Sequence, residues 1–110
     1  EADDDAVVFR QTNWEGQLVE WIHEATDGEA AGIVINPAGL TFRSIPVLDA
    51  LKMFSGVIIE LHISNIHRRE PIYHQSLVST VATAVIAGLG AGGYATAVRS
   101  VRQLLDASAA

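Results

Sequence analysis

The sequence predicts a doubly wound α/β domain, a parallel β-sheet covered by helices on both faces. Three observations carry that expectation. The segments AGIVIN (31–36), GVIIELHI (56–63) and VATAVIAGLG (81–90) are apolar almost throughout, as strands buried on both faces must be. Stretches with apolar residues at helical spacing separate them, so each connection is long enough to return the chain to a parallel neighbour. At 110 residues, 49% of them hydrophobic, the chain is expected to form one domain over 1–110. Such a domain buries a small core and keeps apolar surface to cover, which leans towards an oligomer.

The elements follow in order. The acidic start EADDD reads as a solvated terminus. AVVFRQ (6–11) is a short β-rich run and is expected to be the first strand. NWEGQLVEWIHEA (13–25) sets Leu18, Ile22 and Ala25 at helical spacing, with Asn13 as the expected N-cap. AGIVIN is the second strand, and PAGLTFRS (37–44) a loop. Ser44 is expected to cap a helix over IPVLDALKMF, with Pro46 tolerated in its first turn. GVIIELHI is the third strand, and RREPIYHQS (68–76) a polar connection with a helical turn. VATAVIAGLG is the fourth strand, and YATAVRSVRQLLDA (94–107) a closing amphipathic helix.

Composition removes several function classes. Thirteen acids against seven bases give a net charge of −6, whereas a nucleic-acid binder needs clustered Lys and Arg. The chain has no cysteine, which excludes disulfides and thiolate metal sites and suits the cytoplasm. No apolar run approaches membrane length and no signal segment is visible. Neither nucleic acid nor a membrane is expected as a partner.

Open parallel sheets bind ligands beyond the carboxyl ends of their strands. Two loops qualify here, NPAGLTFRS (36–44) and HISNIHRRE (62–70). Strand alternation puts Glu60 and His62 on one side, where the carboxylate can orient the ring. An imidazole so placed is fitted to act as general acid or base. A lone histidine is more often satisfied by local backbone, but Asn36, Ser64, Asn65, His67 and Arg69 share this rim and favour a site. Gly88-Leu89-Gly90-Ala91-Gly92-Gly93 matches a dinucleotide fingerprint between strand and helix. Too few residues follow it for a further strand, so tight packing of the last helix on the sheet is the expected reason for the glycines. His62, His67 and His74 lack helical ligand spacing, and no metal is expected.

The segments VFRQTNWEGQLVEWIHEA, GIVINPAGLT, IIELHISNIHRREP and VIAGLGAGGYATAV resemble, in order and spacing, type II 3-dehydroquinate dehydratases. The likeness runs over residues 6–104 and is most specific in ELHISNIHRRE (60–70). It implies a flavodoxin-like subunit gathered into trimers and a homododecamer. It also implies a lyase without metal or cofactor, converting 3-dehydroquinate reversibly to 3-dehydroshikimate by trans-dehydration. The step belongs to aromatic amino-acid biosynthesis (the shikimate pathway) or to quinate breakdown.

By the same resemblance His62 is the general acid that protonates the departing hydroxyl, and Glu60 orients it. Asn36 holds a water and stabilises the enolate, a polar group aimed at developing charge. The backbone amides of Ile63 and Ser64 bind the substrate carboxylate, Arg69 lies near the base, and Asp49 reaches into a neighbouring subunit's site. Two positions depart from the family: Phe42 replaces a histidine that binds a ring hydroxyl, and Tyr73 replaces an arginine. Both changes remove donors, which costs affinity for a hydroxylated ring. The family's first strand, first helix and the loop bearing its arginine and tyrosine base find no match in this chain, and neither Tyr73 nor Tyr94 takes the base's place. The resemblance thus implies a dehydratase that is inactive or altered in these 110 residues. The alternative is a non-catalytic oligomeric relative that binds a small cyclic carboxylate.

Overall fold

The computed structural model describes residues 6–109, so EADDD lies outside the described residues. The order is α1 (Glu15–Asp27), β1 (Gly32–Ile35), α2 (Ile45–Lys52), β2 (Val57–His62), β3 (Ala84–Ala87) and α3 (Gly93–Ala109). Single 3-10 turns at Ala38–Phe42, Ile66–Arg68, Pro71–Tyr73, Val78–Thr80 and Gly90–Gly92 fill the connections. Among the described residues the sheet has three parallel strands in the order β1-β2-β3, in a register that sets Ile35 beside Glu60 and His62 beside Ala87.

The central strand explains the layering. On one face of β2, Ile58 joins Ile35 of β1 in a core with Ile22 of α1 and Val47, Ala50 and Leu51 of α2. On the other face Leu61 meets α3, where a Cβ on Gly93 would stand 3.0 Å from Leu61 Cδ1. Val101 of α3 occupies the space above Gly32 of β1, 2.6 Å from where a Cβ would be. Helices therefore cover both faces, as a doubly wound sheet requires. Each fully buried Ile, Leu or Val on these faces contributes about 1.5–3 kcal/mol of transfer free energy.

Local signals start α2 as expected. The Ser44 hydroxyl accepts from Val47 N–H (3.1 Å), and Pro46 sits in the first turn. The same hydroxyl donates to Glu15 Oε2 (2.5 Å), so one serine ties together the starts of α1 and α2. Asn13 does not cap α1. Trp14 holds the N-cap position without a side-chain bond. Just before the helix, Thr12 Oγ accepts from Trp14 N–H (3.1 Å) and donates to Gln17 Oε1 (2.8 Å).

AVVFRQ is not a strand. Val8 and Phe9 are 74% and 71% exposed, and the segment joins no sheet among the described residues. Apolar, β-branched composition describes what fits a pleated surface, and without a neighbouring strand it specifies nothing. Side chains hold the segment instead: Phe9 meets the Tyr94 ring edge-on (5.9 Å between centroids). Arg10 pairs with Glu24 (2.7 Å) and lies over Trp21. The expected fourth strand survives as the four residues of β3. The glycine explanation holds for Gly93 alone. Gly88 (φ 90°) and Gly90 (φ 66°) are in the left-handed region, and a Cβ on Gly90 or Gly92 would meet nothing within 4 Å. The turn's positive φ, not packing of the last helix on the sheet, selects Gly88 and Gly90.

Candidate active site

The carboxyl ends of β1 and β2 lie side by side, and a cavity of about 270 Å³ opens beyond them. Asn36, Phe42, His62, Ile63, Ser64, Arg69 and Tyr73 are among its lining residues. Both loops singled out in the sequence meet here.

Alternation along β2 sends Glu60 and His62 to the same side, where His62 Nε2 lies 2.6 Å from Glu60 Oε2. Glu60 is wholly buried and His62 is 4% exposed. The other carboxylate oxygen accepts from the Ser79 hydroxyl (2.5 Å). Burial pushes the Glu60 carboxyl up, but hydrogen bonds from His62, Ser79 and Ser76, with the His62 charge, outweigh it and hold the group below its ordinary value. An ionised Glu60 accepts hydrogen bonds only, so it takes the proton on Nε2 and fixes the ring.

Asn36 is fastened at both ends of its amide. Oδ1 accepts from Ala38 N–H (3.2 Å) and Nδ2 donates to the Tyr94 hydroxyl (3.1 Å). An amide nitrogen carries two donors, so one remains for a ligand. Tyr94 is a site residue that sequence reasoning missed. It comes from the start of α3, 58 residues from Asn36, and only the topology brings the two together.

Ile63 and Ser64 follow the last residue of β2. Two bonds hold their backbone: Gly88 N–H donates to His62 O (3.1 Å) and Gly90 N–H to Ile63 O (2.9 Å). Among the described residues neither the Ile63 nor the Ser64 N–H has a protein acceptor. Two residues with unclaimed backbone donors thus line the same cavity as His62. Asn65 and His67 are exposed, and Asn65 Oδ1 accepts from His67 N–H (3.1 Å), which shapes the loop.

Arg69 sits with its guanidinium 4.0 Å from the centre of the Tyr73 ring. Tyr73 meets Phe42 edge-on (5.5 Å, 83°), and Phe42 stacks on His62 (6.2 Å, 21°). The two positions that depart from the resembled pattern are in contact with each other, and Phe42 also with the imidazole. Asp49 is not brought to this cavity; it is exposed on α2. His67 and His74 rings lie 6.1 Å apart, but no group of three metal-ligating side chains occurs among the described residues. No helix among them is long and apolar enough to cross a membrane.

Comparison with known proteins agrees with this geometry. The family model described as Dehydroquinase class II matches residues 1–102. A 3-dehydroquinate dehydratase 2 of Agrobacterium fabrum is 53% identical over 100 residues, covering 91% of this chain and 67% of the relative. A 3-dehydroquinate dehydratase of Bartonella bacilliformis is 57% identical over 99 residues, covering 90% and 62%. The crystal structure of a type II dehydroquinase from Propionibacterium acnes superposes with a TM-score of 0.80 at 43% identity, over 84% of this chain and 67% of that one. The chain spans between 62% and 67% of the length of these relatives.

Proposed function

The chain belongs to the class II dehydroquinase family, and from that premise we propose that its cavity serves the dehydration of 3-dehydroquinate to 3-dehydroshikimate. The observation that carries the reading is the buried Glu60–His62 pair, 2.6 Å apart, whose imidazole lines the cavity next to two residues with unclaimed backbone donors.

In this proposal the amides of Ile63 and Ser64 hold the ring carboxylate. A general base, to which no residue of this chain is assigned, takes a proton from the carbon beside the ketone, and the electron pair of that bond moves into a carbon–oxygen enolate. The remaining Asn36 N–H, directly or through a water, meets that oxygen where negative charge develops. The electron pair then returns to form the ring double bond as the carbon–oxygen bond of the hydroxyl breaks. His62 gives that oxygen a proton, so water leaves and a conjugated enone remains. Glu60 orients the imidazole and balances its charge. Arg69, at the rim, adds positive charge near the departing proton.

We place the step in the cytoplasm and in aromatic-ring biosynthesis, and the protein in a homo-oligomer built on trimers or a dodecamer. Ile45, Asp49 and Met53 fall at i, i+4 and i+8 along α2, and the two apolar members are 53% and 64% exposed. An exposed apolar stripe around a carboxylate supports a contact through which Asp49 reaches a neighbouring cavity.

The test is the ultraviolet absorbance of the conjugated product on addition of 3-dehydroquinate. The 110-residue chain is expected to turn over slowly, since no residue here is assigned as base and an acid without its base forfeits orders of magnitude. His62→Gln should lower the rate further, by about 10²–10⁴. Dehydration indifferent to that change, or none at all, overturns the reading. Turnover at a fast rate would make Tyr73, the tyrosine lining the cavity, the base, and Tyr73→Phe would then abolish it.

A further inference from the structure

We propose that Phe42, Tyr73 and Arg69 form a recognition wall for a flat, hydroxyl-poor ring, so that the cavity prefers unsaturated cyclic carboxylates to saturated polyhydroxylated ones. The inference rests on the reading above in one respect, that the Ile63 and Ser64 amides anchor the carboxylate.

The wall is continuous. From Arg69 over Tyr73 (4.0 Å), to Phe42 edge-on (5.5 Å), to His62 stacked (6.2 Å), four planar groups follow one another along one side of the cavity. Its polar ends are a guanidinium and an imidazole, and its middle is Tyr73 and Phe42, of which Phe42 offers neither donor nor acceptor. A ring hydroxyl turned towards Phe42 gives up its hydration and finds no replacement partner, an outcome a hydrogen-bonding site is built to avoid. A planar ring placed there keeps its hydration cost low and adds a stacked or edge-on contact.

The wall is also preformed. Leu77 N–H donates to Thr41 O (2.9 Å), tying the turn that carries Phe42 to the segment that carries Tyr73. Tyr73 N–H donates to Glu70 O (2.9 Å), and the His74 ring meets the Arg69 carbonyl (2.7 Å). Little ordering is left for a ligand to impose, which favours affinity for whatever shape fits. The dehydrated ring has one hydroxyl fewer and trigonal carbons, so the same wall favours the product side of the proposed reaction over its substrate.

Titration calorimetry decides it with cyclohex-1-ene-1-carboxylate, benzoate and quinate as probes. The unsaturated acids should bind about tenfold or more tighter than quinate, the scale set by one favourable ring–ring interaction for the flat acids and one unpaired hydroxyl for quinate. Phe42→His, which restores a donor, should shrink or reverse that preference, and Tyr73→Leu should weaken the flat acids while sparing quinate. Circular dichroism confirms that each variant is folded, and either one alone suffices. Equal or tighter binding of quinate by the unmodified chain, or binding of none of the three, overturns the proposal. The two readings fail separately. Tight binding of flat acids without any dehydration leaves the wall standing and removes the hydro-lyase. His62-dependent dehydration without a flat-acid preference does the reverse.

Discussion

Glu60 concentrates the polar cost of this fold in one carboxyl group. It is wholly enclosed in the middle strand, yet its pKa stays below the ordinary carboxylate value because His62, Ser79 and Ser76 donate to it. A carboxyl whose native pKa is depressed stabilises the fold above its unfolded pKa, near 4.3, and loses that contribution as pH falls through the native value. Thermal unfolding followed from pH 7 downwards should therefore show stability declining once the pH passes below about 4.5. Glu60→Gln should flatten that decline, and an unchanged slope in the variant would remove Glu60 as its source. The pair with His62 was legible in the sequence, because strand alternation puts residues two apart on one side. Ser79 and Tyr94 were not. Each reaches the site from a separate element, Ser79 from the connection before β3 and Tyr94 from α3, and no local period links them to it.

The turn after β3 shows what an element must supply. Gly88 and Gly90, both at positive φ, allow their N–H groups to reach His62 O and Ile63 O and so set the backbone that carries the Ile63 and Ser64 amides. Gly88→Ala meets both backbone strain and a Cβ contact 3.3 Å from Asn65 Cβ, at a cost of about 1–3 kcal/mol. Its melting temperature should fall clearly, and benzoate binding with it. Gly92→Ala, with open space around its Cβ, should melt within a degree or two of the unmodified chain, since a small residue at a compatible position changes stability by well under 1 kcal/mol. Equal melting of the two variants would show that the turn is not selected by conformation. The strands and helices that lie in the core announced themselves by apolar runs and caps, Ser44 among them. AVVFRQ misled because its composition is that of a strand while the described residues offer it no partner ladder, and a strand is a property of two segments.

At the scale of the whole molecule, the exposed stripe of Ile45 and Met53 flanking Asp49 is the feature that points outward. Light scattering at micromolar concentration should give a multiple of the subunit mass, a trimer or a set of trimers. Ile45→Glu should shift the population towards smaller species, because a buried unpaired carboxylate at a contact costs several kcal/mol. A monomer before the substitution would count strongly against the assembly. The parallel sheet and the helical layers were foreseeable from alternating segments, because each element buries a face the next must cover. The proposed assembly is visible in the sequence only as surplus apolar surface, since the sequence does not say which face would meet which.

The proposed backbone anchor at Ile63 and Ser64 has a consequence for how such a chain can change over generations. Main-chain N–H groups are present whatever side chain a codon specifies, provided the glycines at 88 and 90 keep the turn that presents them. The proposed ring preference, in contrast, is written in the side chains at 42 and 73, which meet each other edge-on in the same wall of the cavity. The grip on the acid and the choice of ring are therefore inherited separately. A lineage can explore new rings one codon at a time without passing through a protein that holds no acid, and a saturation library at positions 42 and 73 would walk the same route in the laboratory.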